Sequence, residues 1–126
     1  MKVFLDIDGV LLGRGRQPAN YVKEFLKVAT KKHDCYWATT HCKGDVSNAM
    51  DYLKDILPPE PFGYCKLIKA TEWSHKKTEI FDFNSDFLWF EDTPSEFEKE
   101  VLSEHGKSDS LVIVDLIANP NHLLEL

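Results

Sequence analysis

Two aspartates, Asp6 and Asp8, close a short apolar run near the start of the chain, MKVFLDIDGVLL. Carboxylates this close repel one another unless a cation, a shared proton or different surroundings separate their charges. A hard divalent ion such as Mg²⁺ suits oxygen ligands of this kind and typically takes one or two carboxylates together with water and substrate phosphate. A second acid pair, Glu91 and Asp92, ends another apolar run, FLWF. Between the pairs come two hydroxyls, Thr39 and Thr40, after the apolar residues CYWA, and then the lysines Lys66, Lys69, Lys76 and Lys77. A hydroxyl or an ammonium beside an acid pair can hold a phosphoryl oxygen. The residue types therefore point to chemistry on an anionic ester.

Such a set works only if the fold collects it. Val3 to Ile7, Cys35 to Ala38 and Phe87 to Phe90 are nearly continuous apolar runs, as expected of parallel strands buried on both faces. Residues i and i+2 of a strand share a face, so Asp6 and Asp8 are expected on one side at the carboxyl end of the first strand. Ligands of open α/β sheets bind at that edge. From about Asn20 to Lys32 the residues Val22, Phe25, Leu26 and Ala29 repeat with helical period, with Asn20 as the expected cap. Strand, helix and strand of this spacing make a βαβ unit, which brings Thr39 beside Asp6.

The remaining elements follow the same logic. From Asp45, an expected cap, Val46, Ala49, Met50, Leu53 and Leu57 give a second helix, ended by Pro58 and Pro59. Glu60 to Ser74 is compatible with a short strand or a loop, after which Ser74 would cap a short helix opening with His75, Lys76 and Lys77 and carrying Ile80 and Phe81. TPSE reads as a capping box from Thr93 to Glu96, followed by Phe97, Val101 and Leu102 as an apolar face and Gly106 as a stop. Leu111 to Leu116 is the last expected strand, and NPNHLLEL a terminal turn or short helix. The stretch GVLLGRGRQPAN should be an irregular flap over the first strand end, offering Arg14 and Arg16 to an anionic substrate through their guanidinium forks.

Composition limits the possibilities. The 126 residues suit one domain, 1–126, able to bury roughly two thirds of the unfolded surface. A net charge of -6 argues against a surface that coats nucleic acid generally, although Arg14, Arg16, His41, Lys43, Lys66, Lys69, Lys76 and Lys77 would give the site a basic rim. The few residues before Asp6 are too short for the apolar region of a signal peptide, and no membrane span or membrane partner is expected. Cys35, Cys42 and Cys65 lack metal-type spacing and read as free thiols of a cytoplasmic protein.

The sequence DIDGVLL after an amino-terminal apolar strand resembles the first motif of the haloacid dehalogenase (HAD) superfamily. The other residues follow the order of that superfamily's remaining motifs: Thr39, then Lys77 or Lys66, then Glu91 and Asp92. FEDTPSEFE is similar to the GDTPxDxE form of the fourth motif, with Glu91 in place of glycine. Receiver domains of response regulators use similar ingredients in a different order.

The resemblance implies a three-layer, doubly wound α/β fold, a mainly parallel Rossmann-like HAD core with no room for a cap domain. It further implies a Mg²⁺-dependent phosphatase in which Asp6 is the nucleophile and Asp8 the general acid and base. Thr39 and Lys77 would hold phosphoryl oxygens, Thr40, Lys66, Arg14 and Arg16 would contact substrate, and Asp6, Asp8, Glu91 and Asp92 would supply metal ligands. The implied substrate is a phosphate monoester, a small molecule such as a nucleotide or sugar phosphate, or a polynucleotide end, as in the small HAD domains associated with RNA repair. Two other readings share the residues: a non-catalytic binding module of the same fold, and a switch with a long-lived aspartyl-phosphate.

Overall fold

The structure, a computed structural model, describes residues 1–42 and 44–126. Lys43, one of the expected rim cations, lies outside the described residues. Four parallel strands, β1 (Lys2–Leu5), β2 (Asp34–Trp37), β3 (Phe87–Glu91) and β4 (Leu111–Ile113), form one sheet in the order β2-β1-β3-β4. β1 is central because its run is apolar on both faces. The chain leaves it toward β2 and later returns to its other side as β3, so the strand order reverses at β1. A reversal of this kind opens a crevice at the carboxyl ends of the strands. The architecture is α/β and compatible with a Rossmann-like fold.

Alternate strand residues feed two separate apolar clusters. Val3, Leu5, Cys35, Trp37 and Phe90 pack with α1 (Val22–Lys32), α2 (Ser47–Lys54) and α3 (Pro59–Cys65). Phe4, Phe87 and Trp89 pack with Ala38, Phe81 and Leu102, the last on α4 (Glu96–Glu104). In the second cluster Phe81 stacks on Phe87 with ring centroids 4.6 Å apart, and Phe4 meets Phe81 edge to face at 4.9 Å. Offset and edge contacts of this sort add about 0.5–1.5 kcal/mol each to the burial of the rings. The strand ends that carry the acids are thereby fixed from both faces.

Local departures from the sequence expectations have identifiable causes. β1 ends at Leu5, two residues before Ile7, and β4 ends at Ile113 rather than Leu116, although Asp6 and Val114 still donate backbone hydrogen bonds to Phe90 and Glu91. Asn20 does not cap α1: its amide donates to Asn121 at 2.9 Å, and Tyr21 turns the chain into the helix with φ +65°. Val46, rather than Asp45, is the N-cap of α2; Asp45 stands just before it and accepts from the Ser47 N–H at 2.7 Å. Pro58 and Pro59 open α3, which occupies part of the stretch left between strand and loop; proline suits a first helical turn, where no N–H partner is needed. Lys69 then adds a single parallel bridge to Tyr36 at the edge of β2.

The capping box of α4 is two residues later than TPSE suggests. Ser95 accepts from the Glu98 N–H at 3.1 Å and Glu98 accepts from the Ser95 N–H at 2.8 Å, leaving Glu96 exposed. This register buries Leu102 completely and leaves Phe97, expected in the core, 47% exposed with the Lys76 ammonium 4.6 Å from its ring centre. Replacing Leu102 by alanine should therefore cost about 2–5 kcal/mol in a denaturant titration. Phe97→Ser, by contrast, should cost less than about 1 kcal/mol.

Candidate functional site

The carboxyl ends of β1 and β3 are neighbours, and the acids sit there because each follows an apolar strand that ends. Asp6 comes directly after β1, with its backbone N–H bonded to Phe90 at 3.2 Å. Glu91 is the last residue of β3 and only 6% exposed, and Asp92 follows it. Carboxylate oxygens of Asp6, Glu91 and Asp92 lie within 4.8 Å of one another. Lys77 enters this group from the 3-10 turn Lys77–Ile80, its Nζ 3.1 Å from Glu91 Oε2, 4.0 Å from Asp6 Oδ2 and 5.9 Å from the Trp89 ring centre.

Glu79, rather than the expected Ser74 cap, secures that turn. Its carboxylate accepts from the backbone N–H groups of Ser74, His75 and Lys76 at 3.0, 3.1 and 2.8 Å, and these bonds hold it below the usual carboxylate range. The helical turn begins at Lys77 and ends at Ile80, so His75, Lys76 and Phe81 fall outside it.

Gly9 makes the close approach of Asp92 possible. It has φ +83°, and a Cβ there would fall on the Asp92 carboxylate. Only glycine combines that torsion angle with that space.

The electrostatics are those of a crowded, partly dry acid cluster. Burial pushes Glu91 up to about 8, helped by the neighbouring Asp6, while Lys77 works in the opposite direction. Burial likewise raises Asp6, opposed chiefly by Lys77. Among the described residues the Lys77 ammonium thus faces two carboxyl groups, Asp6 and Glu91, with Asp92 beside them, and a proton or a further cation would relieve the remaining charge. The donors are all hard oxygens, so Asp6, Glu91 and Asp92 could together hold a divalent metal ion.

Asp8 belongs to a different group. Because β1 has already ended, strand alternation does not extend to it, and its exposed carboxylate turns to α2 and the loop after β2 rather than into the acid cluster. Tyr52 donates its hydroxyl to Oδ1 at 2.7 Å, and His41 Nε2 lies 3.0 Å from Oδ2. The His41 and Tyr52 rings stack, 4.1 Å apart and inclined by 12°, and the Arg16 guanidinium lies 5.6 Å from the Tyr52 ring centre. Thr39 is buried at the end of β2, and its hydroxyl accepts from the His41 N–H at 3.3 Å. Thr40, next to it, is exposed.

The structure sorts the expected rim. Arg14 lines a cleft of about 330 Å³ together with Gly9, Asp92 and Thr93. Lys66 stands past α3 with its ammonium 5.5 Å from the Phe62 ring centre, outside the acid cluster. Lys69 pairs with Asp34 at 3.8 Å, at the amino end of β2, and so leaves the rim altogether. Tyr52 and Glu79 were not singled out by the sequence. Tyr52 falls beside the apolar stripe of α2, and its partner Asp8 is 44 residues away, so local pattern carries no trace of the contact.

Two outcomes follow from this geometry. Gly9→Ala should expel Asp92 from the cluster and weaken divalent-cation binding about 10–100-fold in calorimetric titration. In metal-free protein the raised acids contribute stability that is present while Glu91 is protonated in both folded and unfolded chains. It is lost as pH rises from the ordinary glutamate range through about 8. Melting temperatures measured in chelator should therefore fall over that window, and Glu91→Gln should flatten the decline while changing little at pH 5.

No family model, curated protein or solved structure matches the chain.

Proposed function

We propose that this chain is a Mg²⁺-dependent phosphatase of the HAD type, a capless three-layer Rossmann-like domain that hydrolyses phosphate monoesters through an aspartyl-phosphate on Asp6. The observation that carries this reading is the convergence of Asp6, Glu91, Asp92 and Lys77 at the carboxyl ends of adjacent parallel strands, with Thr39 and Asp8 at the same edge. Three free, buried cysteines agree with a reducing, cytoplasmic setting. Among the described residues no helix is long and apolar enough to cross a membrane.

In this mechanism an Asp6 oxygen attacks phosphorus in line and the bond to the leaving oxygen breaks. Asp8 gives its proton to that oxygen, then as a carboxylate takes a proton from the water that attacks the aspartyl-phosphate. Inorganic phosphate leaves and the Asp6 carboxylate is restored. Lys77 meets the charge spread over the transferring oxygens, and the Thr39 hydroxyl offers them a hydrogen bond. Asp6, Glu91 and Asp92 would hold Mg²⁺, whose charge offsets the repulsion between a carboxylate nucleophile and a phosphate dianion. Arg14, on the cleft beside Asp92, is positioned for an anionic substrate, such as a nucleotide or a polynucleotide end.

The alternative readings, a binding module and a long-lived phospho-switch, differ in turnover. Phosphate release should be measured with an aryl phosphate, nucleoside monophosphates and 3′- or 5′-phosphorylated oligonucleotides. Release should require Mg²⁺ and fall to background in Asp6→Asn. Equal inertness of wild type and variant across the panel would overturn the hydrolase reading, and stable labelling of Asp6 without turnover would favour the switch.

A further inference from the structure

The phosphatase reading gives Asp8 a proton to move but does not say what holds it. Its carboxylate is exposed and lies outside the acid cluster, and a carboxyl group free to rotate would meet a leaving oxygen only part of the time. Two side chains from separate elements constrain it. Tyr52, on α2, donates to one oxygen at 2.7 Å, and His41, on the loop after β2, reaches the other at 3.0 Å. The two rings also hold each other, stacked at 4.1 Å. His41 is itself fixed, since its backbone N–H donates to the buried Thr39 hydroxyl.

We propose that His41 and Tyr52 are positioning residues that orient the Asp8 carboxyl group toward the leaving oxygen. This inference rests on the phosphatase reading and deepens it. Each carboxyl oxygen has two lone-pair directions, so one protein partner on each leaves room for a substrate oxygen or a water. The charge that develops on Asp8 as its proton departs meets the Tyr52 hydroxyl already in place as a donor, with the His41 ring already at hydrogen-bond distance from the other oxygen. The stack further ties the general acid to the Thr39 loop, so proton donor and phosphoryl-binding hydroxyl keep a fixed relation. The Arg16 guanidinium, 5.6 Å from the Tyr52 ring centre, adds the flap to the same group.

A positioning role is separable from a structural one by the leaving group. An aryl oxygen such as p-nitrophenolate departs without a proton, whereas an alkyl oxygen requires one. The ratio kcat/KM covers only the steps up to that departure. Wild type, Tyr52→Phe, His41→Ala and His41→Gln should be compared on p-nitrophenyl phosphate and glycerol 2-phosphate at saturating Mg²⁺, with thermal melts to follow folding. Tyr52→Phe and His41→Ala should lower kcat/KM for the glycerol ester about tenfold or more while leaving the aryl ester within about twofold, a selective loss drawn from the ~10²–10⁴-fold that general acid catalysis supplies. His41→Gln, which keeps a polar group able to hydrogen-bond the Asp8 carboxyl, should recover part of the loss. Equal losses on both esters, or none, would overturn the positioning role while leaving the phosphatase intact. A wild type inert toward both esters and toward the wider panel would remove the phosphatase reading and the inference with it.

Discussion

Asp6 and Glu91 are neighbouring carboxyl groups held in a partly dry crevice, and Lys77 is the ammonium between them. Taking carboxylates out of water is costly unless opposite charge or protons accompany them. Much of the surrounding architecture can be understood as arranging that compensation. β1 and β3 must be adjacent and parallel for the two acids to share an edge. The turn Lys77–Ile80 must present its lysine inward, and Glu79 binds three backbone N–H groups to keep it there. Gly9 must lack a side chain for Asp92 to join the group.

The aromatic cluster on one side of the sheet has a related task. Phe81 immediately follows the lysine-bearing turn and stacks on Phe87 at the start of β3, while Trp89 lies between that packing and the Lys77 ammonium. Apolar packing thus fixes the distance from lysine to acids, and it lowers the local dielectric in which their charges interact. The same burial that makes the acids unfavourable makes an added cation, or a phosphoryl group approaching Lys77, a stronger partner than it would be in water. A folded chain that tolerates this arrangement carries a site whose charge is satisfied only in company. That is the physical basis for the proposed phosphatase.

The separation of Asp6 and Asp8 is the other organising feature. Two acids two residues apart in sequence end in different surroundings, one enclosed with Glu91 and Lys77, the other exposed between Tyr52 and His41. Different environments allow different roles for chemically identical groups. In the proposed mechanism the enclosed one attacks and the open one moves protons.

The order of apolar runs determined that the chain would be α/β, that β1, β2 and β3 would be buried parallel strands, and that the acids and Thr39 would stand at their carboxyl ends. These are consequences of short-range pattern, since a run buried on both faces has few other uses in a chain of this size. Helix α3 was hidden because PEPFGYC contains two prolines and a glycine, and it exists through packing of Pro61 and Cys65 in the core rather than through propensity. The register of α4 was hidden because TPSE and SEFE both read as capping boxes, and burial of Leu102 chose between them. Which lysine joins the acids, and which side chains receive Asp8, were decided by tertiary structure alone. Lys77 and Glu91 are 14 residues apart and Tyr52 and Asp8 are 44, so each pair meets only once the sheet and its helices have closed.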